Sequence, residues 1–84
     1  MPTVHRSHGL RFVIFTDDHR PAHVHAVGSG GEAKIELGGS ERAPRLVWAK
    51  GLSTADIGRA MGEVVREQTM LLAAWSRIHG GPDQ

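Results

Sequence analysis

The spacing of the apolar residues changes near Ser53, and this change most constrains the fold of the chain. Before Ser53, short runs of β-branched and aromatic residues alternate with glycine, proline and aspartate, which is typical of strands joined by turns. After it, apolar residues recur at steps of four and three, the period of one helix face. This order predicts an α+β domain, in which a small antiparallel sheet of three to four strands carries a C-terminal helix on one face.

Four runs indicate strands. The first covers residues 10–16 and is apolar on both faces, so its second face requires a cover. The second covers residues 22–27, the third residues 32–37, and a short fourth residues 44–48. The glycine-rich residues 28–31 between the second and third strands predict a hairpin.

The helical segment is expected to begin after Ser53, a suitable N-cap, and to end at Gly80. Gly58 and Gly62 are poor helix formers, so the sequence leaves open one helix or two that break near these glycines. The stripe that faces the sheet has one polar member, Gln68. Its apolar members are Ile57, Met61, Val64, Leu71, Trp75 and Ile78, widened by Val65 and Leu72.

Composition excludes several classes of function. The 84 residues predict one domain over residues 1–80 and a flexible tail at 81–84. The absence of cysteine excludes disulfides, thiolate metal sites and cysteine nucleophiles. The net charge of +1 gives no basic stripe for nucleic acid. The chain starts without an apolar signal segment and has no run that spans a bilayer, so we expect a cytoplasmic protein without membrane contact.

A pair of histidines is the main candidate for chemistry. His23 and His25 are two residues apart on the second predicted strand, so both side chains should point to one face and Val24 to the other. If the helix covers Val24, the imidazoles lie on the outer face, near Lys34 and Glu36 of the next strand. We therefore expect both rings to be accessible to outside molecules.

The residues leave three functions open for this surface. In the first, His23 and His25 exchange protons during metal-independent attack on RNA, while Arg20 and Lys34 stabilise the phosphate, so that no cofactor is needed.

In the second, His23 and His25 bind zinc. The candidates for its third ligand are His5, His8, Glu32 and Glu36. In the third, the domain is a non-catalytic interaction module, in which Val13 and Phe15 dock a partner and the histidines line the interface.

Several short pieces spread over residues 1–80 form a combined pattern. They are Met1-Pro2-Thr3, Gly9, Arg11-Phe12, Pro21-Ala22-His23-Val24-His25, Gly31-Glu32-Ala33-Lys34, Gly51-Leu52-Ser53 and Trp75. In this pattern the chain resembles a family of small bacterial proteins, domain-of-unknown-function family 4160. The resemblance implies a small α+β domain of the bacterial cytoplasm that is one component of a toxin–antitoxin-like pair. The expected partner is a small protein encoded by a neighbouring gene, or a second copy in a homodimer, with RNA as a further target.

Overall fold

The computed structural model describes residues 3–80, which form a five-stranded antiparallel sheet and two helices. The strands lie side by side in chain order: β1 (Thr3–Ser7), β2 (Leu10–Val13), β3 (His23–Gly28), β4 (Gly31–Glu36) and β5 (Arg45–Lys50). The helices are α1 (Thr54–Arg66) and α2 (Gln68–His79). The α+β class is confirmed, with one strand more than predicted. The predicted tail at residues 81–84 lies outside the described residues.

The additional strand is β1, which the apolar pattern does not reveal. It pairs with β2 through a tight turn at His8 and Gly9, whose φ angles are 56° and 77°. Two positive φ angles in a two-residue loop match the twist of an antiparallel hairpin. The strand itself is polar apart from Val4, so it carries no hydrophobic alternation that a sequence search would detect.

The core lies between the sheet and the helices. Val65, which was predicted to widen the helix stripe, is exposed instead. Gln68, the polar member of the stripe, connects α2 to the chain after β4: its Nε2 donates a hydrogen bond to the Leu37 carbonyl oxygen at 2.7 Å. The central side chains of the core are Phe12, Val24 and Ile35 from the sheet and Val64, Leu71 and Trp75 from the helices.

The break in the helical segment occurs at Glu67, whose φ and ψ are −105° and 20°, and not near Gly58 or Gly62. Helix α1 runs continuously through both glycines and is capped at its start by Ser53, whose Oγ accepts from the Asp56 N–H at 3.0 Å. The predicted N-cap is therefore confirmed. No helix within residues 3–80 combines the length and the apolar character needed to cross a membrane.

Two glycines allow a close approach of β4 and the β5–α1 connection. A Cβ atom on Gly31 would overlap the backbone of Gly51 and lie 2.6 Å from the Leu52 nitrogen. Gly51 itself has φ +78°, in the left-handed region that favours glycine. Two pieces of the family-like pattern, distant in sequence, therefore pack backbone against backbone.

Candidate functional site

The sheet places His23 and His25 on one strand and one face, as predicted. On β3 they are separated by Val24, whose side chain enters the core. In the antiparallel ladder with β4, His23 lies opposite Glu36 and His25 opposite Lys34. The predicted neighbourhood of the two histidines is confirmed.

The prediction that both imidazoles are accessible is wrong. His23 is 3% exposed and His25 is 8% exposed. The connection between β2 and β3 contacts this face, where the Phe15 ring packs edge-on against His25 at 4.8 Å. Trp75 of α2 packs against His23 at 5.2 Å between ring centroids. The first predicted strand, which is β2 in the structure, is apolar on both faces. The chain itself supplies the cover that its second face requires.

The same cover changes the expected interaction surface. Val13, predicted to dock a partner, is fully buried, and Phe15 is partly buried against His25. Because Val13 has no exposed surface, the apolar second face of β2 is not a free surface in this conformation.

Each imidazole is oriented by a hydrogen bond from its Nδ1 atom. Nδ1 of His23 donates to the Pro21 carbonyl oxygen at 2.9 Å, and Nδ1 of His25 donates to the Glu32 carboxylate at 2.8 Å. Because Nδ1 carries the proton in both rings, the Nε2 atom of each neutral ring presents a lone pair. Carbonyl and carboxylate partners of this kind are typical of histidines that bind metals.

The two Nε2 atoms meet at Asp18. Oδ2 of Asp18 lies 3.0 Å from Nε2 of His23 and 3.6 Å from Nε2 of His25. Despite the short distance, Asp18 Oδ2 and His23 Nε2 are both buried without a hydrogen-bond partner among the described residues. One carboxylate oxygen and two imidazole nitrogens therefore lie together, all within 4.8 Å of one another.

Asp18 is the site residue that the sequence did not reveal, because it follows the first predicted strand in a connection without a recognisable motif. None of the four predicted third ligands joins the cluster of Asp18, His23 and His25 in the described part of the chain. Glu32 instead holds the opposite side of the His25 ring. His5 and His8 lie beside Glu63, and Glu36 pairs with Arg45.

A small cavity adjoins the cluster. Its volume is about 200 Å³, and one wall is formed by Asp18. Arg20, predicted to stabilise a phosphate, also lines this cavity and is exposed. Lys34, the other predicted cation, lies on β4 opposite His25 and does not line it. The remaining lining residues are His19, Trp75 and His79.

A second polar cluster connects β1 to α1 through hydrogen bonds. Glu63 of α1 is buried and accepts hydrogen bonds from Arg66 and from His5 of β1. The hydrogen bond from Arg66, followed by that from His5, lowers the pKa of Glu63 from 4.5 to about 2. Although Glu67 lies close enough to complete a possible metal group, the oxygens of Glu63 already have partners. This cluster therefore has a structural explanation that the Asp18 cluster lacks.

Comparison with known proteins gives a family but no characterised relative. No curated protein and no solved structure matches the chain. The sequence model of one family, described as a domain of unknown function (DUF4160), matches residues 9–76 of the 84. Since this match covers most of the chain, the protein belongs to the DUF4160 family.

Proposed function

We propose that this domain binds a divalent transition-metal ion, of which zinc is the first candidate, through Asp18, His23 and His25. The observation that carries the proposal is the convergence of Asp18 Oδ2 with the two Nε2 atoms. Two imidazoles and one carboxylate form a ligand set typical of zinc and of other first-row metals.

The separations between the ligand atoms suit a metal ion. Zinc bonds to nitrogen and oxygen are about 2.0–2.2 Å long, so two ligands of a tetrahedral ion lie about 3.3 Å apart. The distances of 3.0 and 3.6 Å from Asp18 to the two rings bracket this value. A cation between these atoms would also remove the cost of two buried acceptors without partners, about 1–3 kcal/mol for each.

Burial favours metal binding over direct contact with RNA. Nε2 of His23 is closed to solvent, so an RNA hydroxyl has no route to it in this conformation. RNA cleavage by the predicted residues would require the β2–β3 connection to open. Those residues are His23, His25, Arg20 and Lys34. A metal ion needs only the space between three side chains.

The metal content of the purified protein tests this proposal. The untagged chain is loaded with zinc, desalted and subjected to elemental analysis, and we expect one zinc per chain. His23→Gln and His25→Gln should each lose it. His19→Gln is the matched control, because His19 adjoins Asp18 in sequence but is exposed and outside the cluster. Absence of zinc from the wild type, or its retention by both ligand variants, would reject the proposal.

Loading with cobalt provides a second measurement. Cobalt(II) in a four-coordinate site absorbs visible light far more strongly than the hydrated ion, so the spectrum reports the ligand geometry as well as occupancy. We expect strong visible bands in the wild type and in His19→Gln. The same bands should be absent from His25→Gln.

A second candidate function is partner binding of the toxin–antitoxin type. The observation that favours it is the edge strand β5, which pairs only with β4 within residues 3–80 and exposes Val47 and Trp48. An open edge can accept a strand from another protein. The occupant that we propose is the small neighbouring-gene protein that the family resemblance leads us to expect.

Coexpression tests this second function. The chain and its neighbour should copurify, and growth arrest by the chain alone should be relieved by the neighbour. Val47→Lys should break the complex, while Val65→Lys, which changes a more exposed valine on α1, should leave it intact. A complex that survives Val47→Lys would exclude the β5 edge.

A further inference from the structure

We infer that the metal centre takes a phosphate-class oxyanion as an outside ligand, bound in the cavity beside Asp18. This inference rests on the proposed metal binding and adds the class of ligand. The cavity and the metal cluster share Asp18, so a molecule in the cavity lies next to the centre. Three protein ligands also leave a zinc ion at least one position for an outside ligand.

The size of the cavity restricts the ligand. A volume of about 200 Å³ compares with about 30 Å³ for one water molecule in the liquid. A phosphate with a few waters fits this space, whereas pockets for drug-sized molecules measure about 300–1,000 Å³. The cavity therefore suits a small anion, or the phosphate end of a molecule whose remainder lies outside.

The local charge makes anion binding dependent on the metal. The charged residues of the cavity lining are Asp18 and Arg20, and their formal charges cancel. A divalent ion changes this charge to +2. An anion should therefore bind the zinc-loaded protein more tightly than the metal-free protein.

One residue of the cavity lining carries a donor without a partner. Trp75 Nε1 is buried and has no partner among residues 3–80, and a donor of this kind is satisfied by an acceptor, not by a cation. The indole is held by His79, which stacks on it at 3.9 Å and donates through its Nε2 to the Phe15 carbonyl oxygen at 3.1 Å.

Arg20 and His19 are exposed residues of the cavity lining and carry further donors. Several donor-bearing residues suit the four oxygens of a phosphate better than the two of a carboxylate. The lining therefore favours phosphate over a carboxylate ligand.

Calorimetric titration of the desalted, zinc-loaded protein with inorganic phosphate tests the inference. We expect one phosphate per chain, and at least tenfold weaker binding after Arg20→Gln, because a charge-assisted hydrogen bond is lost. Arg42→Gln is the control, since it removes the same charge from an exposed position outside the cavity lining. Zinc content is measured in every sample.

The outcomes separate the inference from the proposed function. Zinc-loaded protein that does not bind phosphate, binds acetate equally well, or binds phosphate unchanged after Arg20→Gln would overturn the inference and leave metal binding intact. Equal phosphate binding by metal-free protein would overturn it as well. Failure of the wild type to bind zinc would instead contradict the proposed function. Competition by the dinucleotide UpU, which has only a diester phosphate, would identify the ligand as a phosphodiester, and its absence would indicate a free or terminal phosphate.

Discussion

Replacement of Asp18 by asparagine should have opposite effects on the metal-free and the zinc-loaded protein. In the metal-free protein, Oδ2 of Asp18 lies 3.0 Å from His23 Nε2, and neither atom has a hydrogen-bond partner among the described residues. The amide nitrogen of asparagine, in the same place, can donate to the lone pair of His23 Nε2. Since a hydrogen bond of this kind contributes about 1 kcal/mol, metal-free Asp18→Asn should melt about 4–8 °C above the metal-free wild type.

Zinc should reverse the order of the two melting temperatures. Free zinc at 100 times its dissociation constant stabilises a folded protein by about 2.7 kcal/mol, which corresponds to roughly 10–20 °C in a domain of this size. The wild type should gain this amount, whereas Asp18→Asn should gain almost nothing, because a neutral amide is a poor zinc ligand. Thermal unfolding followed by circular dichroism, with and without zinc, measures all four melting temperatures.

One result would refute the reasoning directly. If metal-free Asp18→Asn is destabilised, then Asp18 pairs with a protonated imidazole in the wild type, and the cluster is an ion pair instead of an empty metal site. Asn replaces Asp with almost the same shape, so packing differences would not explain such a loss. A wild type whose melting temperature is unchanged by zinc would lead to the same conclusion.

Four further substitutions test the fold. Gly58→Ala and Gly62→Ala should each stabilise the protein by about 0.5–1 kcal/mol in urea unfolding, because both positions are helical and a Cβ there meets no atom within 4 Å. Gly31→Ala should lower the melting temperature strongly or prevent folding, since its Cβ overlaps the Gly51 backbone. The lowered pKa of Glu63 predicts a stabilisation that is complete above its unfolded pKa of about 4.5 and is lost as the pH falls to about 2. Glu63→Gln should flatten this pH dependence of the unfolding free energy, measured by urea unfolding between pH 5 and pH 2.5.

The fold could be predicted where apolar periodicity was strong. The hairpin of β3 and β4 and the helix stripe were evident, because alternation and a 3.6-residue period are properties of the sequence itself. Strand β1 was not evident from the sequence, because its pairing depends on two positive φ angles at His8 and Gly9. The helix break was misplaced for a related reason. Propensity pointed to Gly58 and Gly62, whereas the break at Glu67 accompanies the tertiary hydrogen bond from Gln68 to Leu37.

For the candidate site, the sequence could place two residues but not the third. His23 and His25 share a face because strand geometry fixes it. Asp18 reaches them through the path of the β2–β3 connection, and no local rule predicts such a path. Burial of the rings was missed for the same reason. The apolar second face of the first strand indicated that a cover was needed, but the sequence did not show that the following loop would supply it.

The distribution of unsatisfied atoms is the strongest general argument that this face is a ligand site. Within residues 3–80, the buried side-chain atoms without a hydrogen-bond partner are Asp18 Oδ2, His23 Nε2 and Trp75 Nε1. The first two lie 3.0 Å apart, and the Trp75 ring contacts His23, so all three belong to one neighbourhood. Each costs about 1–3 kcal/mol, against a total stability of roughly 5–15 kcal/mol for a folded domain. Two of the atoms are acceptors that a cation would satisfy, and the third is a donor that an anion would satisfy. A metal ion and an oxyanion together would compensate the cost of all three atoms, whereas an ion pair between Asp18 and a protonated His23 would satisfy the first two and leave Trp75 Nε1 without a partner.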